Sequence, residues 1–362
     1  MAERKLATIR KVGAVDNIPG KDRIALAHID GWTVIVQKSD IHAGDLVVFC
    51  EIDSILPEAE WSSFLKDRHI KTMKMAGCLS QGIAFPLSIL PAGTKAVEGM
   101  DVTEILGVTK WERPDATDVR EYSGGKEYKK FPKWLMRFKW FRNWVFRHKG
   151  KKEAKAFPSF VSKTDETRIQ NAPFYLDADR EWCITEKVDG QSGTFAVKRA
   201  NKLFGRKFDT YVCSRNWRLF RDDGSSYWKV WKKYNLEQLL IGLCNELDQD
   251  WVCIQGEIIG PGIQGNKYKK TEPELYVFNF ITSYAGRYAS GDGKNLLEPL
   301  GLNWVPIIGV GLLPKTVEEM LTLANGPSRL ADINREGLVC RSLDGSLSFK
   351  AVDPEFLIHY GE

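Results

Sequence analysis

Residues Glu186–Gly193 read EKVDGQSG, and the rest of the chain is best understood outward from them. The run just before, REWCITEK (Arg180–Lys187), is short, apolar and β-branched, and reads as a strand with a lysine at its end. Asp189 follows two residues later, and Gly190 then permits a tight turn. A lysine amine is a natural nucleophile toward the α-phosphate of ATP, and attack leaves AMP on the side chain as a phosphoramidate. The amine must be neutral to attack, so a depressed pKa is expected, from burial or neighbouring cations. Taken alone, K-x-D-G is four residues of common types, and a surface turn is the commoner reading of such a match.

The order of the other pieces changes that balance. Ser-Arg-Asn (Ser214–Asn216) follows the lysine, and GEIIG (Gly256–Gly260) places a glutamate late in an apolar strand. LYVFNFI (Leu275–Ile281) reads as an aromatic strand with Phe278 and Phe280 on one face. EGLVCR (Glu336–Arg341) opens another strand with a glutamate, and SFK ends the series at Lys350. Between them, Tyr227–Leu247 and Thr316–Asn325 read as helices. The architecture expected is α+β: an N-terminal OB-like β-barrel, then a domain of antiparallel sheets and helices.

Six pieces in this order resemble the covalent nucleotidyltransferases: DNA ligases, RNA ligases and mRNA capping enzymes. The resemblance spans about residues 165–352 and implies roles for this chain's residues. Lys187 would be the nucleophile, with Gly190 in the nucleotide-binding turn and the adenine against the backbone near Glu186. Arg215 would hold the ribose or phosphate edge of the nucleotide, and Glu257 would accept hydrogen bonds from the ribose hydroxyls. Phe278 would stack on the adenine, a contact worth about 1–3 kcal/mol. Glu336 would bind Mg²⁺ or Mn²⁺, with Asp189 helping through water, since hard carboxylate ligands suit these ions. Lys350 would contact the α-phosphate and stabilise charge during in-line transfer. Upstream, FPSFVSKTDETRIQN (Phe157–Asn171) resembles the stretch before the nucleophile in RNA ligases. There Arg168 would reach the ATP phosphates or a nick 5′-phosphate, and Asn171 would help frame the adenine pocket.

Two departures narrow the choice. Many ligases carry K-x-K in the last motif, whereas Ser348 stands first here. DNA ligases and capping enzymes have an arginine shortly after K-x-D-G, whereas this chain reads Gln191-Ser192. The first leaves one phosphate contact missing or supplied elsewhere, and the second favours an RNA-ligase-like branch over a DNA ligase or a GTP-using capping enzyme. A catalytically dead nucleic-acid-binding protein is a further alternative, and the presence of Lys187, Asp189, Glu257, Glu336 and Lys350 speaks against it.

The N-terminal third supplies another discriminator. LATIRKV, RIALAHI, WTVIVQ and DLVVFCEI are short β-branched runs punctuated by Gly and Asp turns, as in a small barrel. The expected division is an OB-like domain over 1–110, a basic aromatic linker over 111–156, and a nucleotidyltransferase domain over 157–362. A barrel placed before the catalytic domain resembles the Rnl5 family of ATP-dependent RNA ligases. That resemblance implies sealing of 3′-OH/5′-phosphate nicks, in RNA or RNA/DNA duplexes with RNA at the 3′-OH side, through a lysyl-AMP intermediate.

Charge and composition are compatible with this. The net charge of +5 is mild, but the linker concentrates it, with eleven Lys or Arg against one acid from Lys129 to Lys155. Its stretch LMRFKWFRNWVFRHKG (Leu135–Gly150) reads as an amphipathic helix, to pack on a neighbour, touch phosphates or lie on a membrane surface. Seven Cys without C-x-x-C spacing argue against a zinc site or a disulfide framework. No apolar run approaches a membrane span, so a cytoplasmic location is expected, or a nuclear one in a eukaryote. Nothing in the sequence asks for more than a monomer.

Overall fold

The computed structural model describes residues 4–111, 157–177, 179–200 and 207–360. Apart from Trp111, the linker and its expected helix lie outside the described residues. Among the described residues no helix is long and apolar enough to cross a membrane.

The N-terminal module is built from short strands: β1 (Ala7–Lys11), β2 (Ala14–Asn17), β3 (Ile24–Ile29), β4 (Trp32–Gln37), β5 (Leu46–Cys50), β6 (Ser54–Ile55), β7 (Thr72–Met75), β8 (Cys78–Gln81), β9 (Ile83–Pro86) and β10 (Thr109–Lys110). One antiparallel sheet runs β1-β5-β9 and another β2-β3-β4, with β7-β8 and β6-β10 as ribbons. The alternation in β3 and β4 explains their placement. Ala25, Ala27, Ile29, Trp32, Val34 and Val36 are buried while the residues between them are partly exposed, so one face meets the core. Central β5 is flanked on both edges and is buried from Val47 to Cys50. Val102, Leu106 and Val108 complete this core, so the module runs on to the β10–β6 pairing.

The C-terminal module comprises β11 (Thr167–Arg168), β12 (Trp182–Lys187), β13 (Gln191–Arg199), β14 (Phe208–Cys213), β15 (Trp251–Ile259), β16 (Glu274–Thr282), β17 (Gly286–Arg287), β18 (Asn303–Trp304), β19 (Ile307–Gly311), β20 (Gly337–Ser342) and β21 (Ser348–Val352). They form two sheets, ordered β11-β21-β20-β12-β19 and β14-β13-β15-β16-β17. The pairings are antiparallel except β11 with β21 and β16 with β18. The expected helix over 227–247 is two helices, Ser226–Lys233 and Leu236–Glu246. Asn235 separates them with a left-handed φ of 46°, a conformation that asparagine tolerates. The second expected helix forms over Val317–Ala324, started by a capping box between Thr316 and Glu319.

The modules share a core and a seam. Val352 and Leu357, from the end of the chain, pack into the N-terminal hydrophobic cluster. The Gly31 N–H donates to the Gln170 carbonyl at 3.1 Å. A Cβ at Gly31 would lie 2.7 Å from Gln170 Cα and 2.9 Å from its oxygen, so only glycine allows this approach. Gly31→Ala should therefore lower stability by about 1–3 kcal/mol, read from urea unfolding at constant slope. Wild-type stability in that variant would mean the seam opens without cost.

Candidate active site

Register places Lys187. β12 runs between β19 and β20, and Lys187 lies opposite Gly337. The residue before Gly337 is Glu336, and Lys187 Nζ donates to its Oε2 at 2.6 Å. The chain then turns at Gly190, where a Cβ would sit 2.3 Å from the Ile258 carbonyl oxygen, which excludes any side chain. β13 carries the chain back along β15 with Ser192 opposite Glu257. The Asp189 N–H donates to the Tyr268 hydroxyl at 2.9 Å, and Gln264 donates to the Gly190 carbonyl at 3.1 Å, fixing the turn from behind. Lys267 pairs with the Asp189 carboxylate.

A β-bulge decides what the aromatic strand presents. Gln255 pairs with Asn279 but Gly256 pairs with Val277, so Phe278 is the extra residue. The expectation of one face for Phe278 and Phe280 therefore fails. Phe280 is fully buried in the core, while Phe278 is re-aimed to line the cleft. Across from it are Val339 and Arg341 of β20, the guanidinium 5.6 Å from the Phe278 ring centre.

One cleft gathers Lys187, Asp189, Gly190, Arg215, Glu257, Phe278, Glu336, Lys350, Glu186 and Arg168. It also contains Arg4, Asp53, Lys110 and Trp111 from the N-terminal module. Asn171 does not belong to it. Its amide oxygen accepts from Trp32 Nε1 at 2.7 Å and its NH₂ donates to Glu51 at 2.8 Å, so it fastens the modules together. The short helical turn Ile169–Asn171 directs its side chain to that seam. The Glu186 carboxylate also faces away, accepting from Ser328 Oγ at 2.5 Å and the Arg329 N–H at 2.8 Å. That carboxylate is therefore already partnered beside the cleft. Arg168 is buried and donates to Asp53 at 2.9 Å, while its Nε and Nη1 have no partner among the described residues.

Known proteins share this fold. Residues 6–87 match an OB-fold domain family, and residues 180–352 match the RNA ligase family. The structure is similar to Naegleria gruberi RNA ligase with PPi, at 30% identity over 99% of each chain with a TM-score of 0.80. It is equally similar to a lysine-to-methionine variant of that ligase with AMP and Mn, at 30% identity and TM-score 0.80, covering 98% of this chain and 99% of that one. A glutamate-to-alanine variant with ATP and Mn gives 29% and 0.81, covering 99% of this chain and all of that one. None of the curated proteins matches the chain. The chain belongs to the RNA ligase family.

The electrostatics of this ligase depart from expectation in one respect. Burial alone would depress the Lys187 amine, but Glu336, Glu257 and Asp189 outweigh it and hold its pKa above the ordinary value. Lys187 is therefore a protonated, paired lysine. Burial, with Glu336 and Asp189 adding to it, pushes the Glu257 carboxyl up to about 8, against the pull of Lys187. Burial likewise raises Glu336. Crowded carboxylates of this kind suit a hard divalent cation. Among the described residues no three acidic, His or Cys groups converge to hold an ion by themselves. The donor set thus fits an ion that takes Glu336 and Asp189 and completes its shell from phosphate and water.

The opposite wall is cationic, and much of it lies outside the motifs. Lys350 donates to Asp165 at 2.9 Å, and Arg215 and Lys110 approach the same carboxylate at 3.5 and 3.4 Å. Ser348, in place of the usual lysine, donates to Glu166 at 2.5 Å. Arg341 and Arg287 reach Glu166 at 3.3 and 3.7 Å. These arginines supply cations around the position where the sequence lacks one. Arg287 belongs to no motif. Arg341 ends EGLVCR, where its charge is the available signal.

The raised Glu257 gives a linkage prediction. The folded protein binds a proton there that the unfolded chain releases near 4.5, so this group makes stability fall as pH rises from 4.5 to about 8. Glu257→Gln should flatten that decline in urea unfolding without nucleotide or metal. An unchanged slope would assign it to other groups.

Proposed function

We propose that this RNA ligase uses ATP and a divalent metal to seal 3′-OH/5′-phosphate nicks in duplexes whose 3′-OH strand ends in RNA. The observation that carries the reading is the meeting of Lys187, hydrogen-bonded to Glu336, with Lys350 in one cleft. The similar Naegleria ligase structures contain ATP, AMP, Mn or PPi, which supports the choice of nucleotide and ion.

In the first step Lys187 Nζ attacks the α-phosphorus of ATP, the bond to pyrophosphate breaks, and a lysyl phosphoramidate forms. Lys187 must lose a proton first, and Glu336 already shares a hydrogen bond with it. Mg²⁺ or Mn²⁺ held by Glu336 and Asp189 would offset the surrounding negative charge and ease that deprotonation. Phe278 stacks on the adenine, Glu257 holds the ribose, and Arg215 and Arg168 hold phosphate oxygens. Arg168 fits this because two of its buried nitrogens lack partners among the described residues. Lys350 meets the charge that develops on the α-phosphate. AMP then passes to the 5′-phosphate of the nick, and attack by the 3′-OH closes the bond and releases AMP.

The N-terminal module, to about residue 110, contributes Arg4 and Lys110 to this cleft and with the basic segment 129–155 clamps the duplex. That binding should weaken steeply with salt.

With [α-³²P]ATP and Mg²⁺ the wild type should become labelled and Lys187→Ala should not. Lys350→Ala should slow labelling by about 10²–10³-fold. Nicked duplexes differing only in the sugar at the 3′-OH terminus should be sealed when it is ribose. Equal sealing of deoxyribose ends would favour a DNA ligase, and labelling by GTP rather than ATP would favour a capping-type enzyme.

A further inference from the structure

The segment 163–166 places two adjacent carboxylates against the cationic wall of the cleft, and the proposed chemistry has not used either. Asp165 lies where cations from three distant parts of the chain converge. Its Oδ1 is 2.9 Å from Lys350 Nζ on β21 and 3.5 Å from Arg215 Nη2, just after β14. Its Oδ2 is 3.4 Å from Lys110 Nζ, at the end of the N-terminal module. Against the effect of burial, those three cations hold the Asp165 carboxyl far below the usual range, so it remains charged.

We propose that Asp165 is a positioning residue that fixes the Lys350 ammonium at the reacting phosphate and keeps it charged by standing as its counter-ion. This rests on the phosphate-contacting role given to Lys350 above. The surroundings of Lys350 show why a counter-ion is needed. Its side chain is only 14% exposed, and burial is the main influence, lowering its pKa to about 8. Arg168 on β11, Arg4 from the N-terminal module and Lys187 at the end of β12 press it further down. Of the four charged groups that weigh most on Lys350, Asp165 alone opposes this. Without it, the buried amine would lose its proton nearer neutrality and could no longer stabilise negative charge.

The sign is fixed by the group. Lys350 is protonated below about 8, so removing the Asp165 charge moves the loss of its proton to lower pH. Asp165→Asn keeps the side-chain shape and removes the charge. Adenylylation rate over KM for ATP, which reports groups of the free enzyme, is measured from pH 6 to pH 9.5 for both proteins, after matched thermal melts. The expected result is an alkaline limb shifted down by about 1–3 units in Asp165→Asn, with rates approaching wild type at the acidic end. Asp165→Glu should bring the limb back toward the wild-type position. An unmoved limb would overturn the proposal, and so would an equal loss at every pH, which marks a structural role. Should Asp165→Asn fail to fold, Asp165→Ser is measured in the same way and read by the same outcomes. Lys350→Ala separates the two layers. If it labels at the wild-type rate, the role of Lys350 itself fails. If it is inactive while the Asp165→Asn profile equals wild type, only the positioning role fails.

Discussion

The site depends on a lysine ammonium held among carboxylates. Lys187 is 2.6 Å from Glu336, with Glu257 and Asp189 close enough to raise its pKa. A bare cluster of three carboxylates would repel itself, and a bare lysine at this depth would tend to lose its charge. Each therefore stabilises the other in the absence of ligands. The same arrangement dictates what activation requires, since negative charge must be drawn off the carboxylates before the amine can attack. Substrate phosphates with a hard cation do this in the proposed mechanism, which links nucleophile activation to correct loading of the cleft.

The second constraint is the seam between modules. Glu51 and Asp53, beyond the end of β5, collect Arg4, Arg10, Arg168 and Asn171 from both parts of the chain. Trp32 and Gly31 meet Asn171 and Gln170 across the same seam. As a result the N-terminal module forms part of the cleft wall. In the proposed mechanism, a cation such as Arg168 is thus oriented from one module and used in the other.

Much of this is legible in the sequence because the motifs sit at strand ends, where spacing translates directly into position. K-x-D-G, GEIIG, EGLVCR and SFK lie on or beside β12, β15, β20 and β21, and their side chains line one cleft. The failures have local causes. Alternation along LYVFNFI assumes an unbroken ladder, and the bulge at Phe278 breaks it. Periodicity over 227–247 ignores the left-handed turn available to Asn235. The seam role of Asn171 has no signal in the sequence, because Trp32 and Glu51 are remote along the chain. The sign of the Lys187 shift is hidden because carboxylates from separate segments meet only in the folded chain. Asp165, Glu166 and Arg287 carry no sequence signal for the same reason, since their partners are remote along the chain. Lys350, for one, stands 185 residues from Asp165.

The central claim is that Lys187 carries AMP. Its most direct test is peptide mapping by mass spectrometry after incubation of the full chain with ATP and Mg²⁺, quenched at alkaline pH to preserve a phosphoramidate. The account predicts a single AMP adduct on the peptide containing EKVDG, with the modification on Lys187 and reversed by added pyrophosphate. An adduct on another lysine, or none in protein that binds ATP, would contradict it.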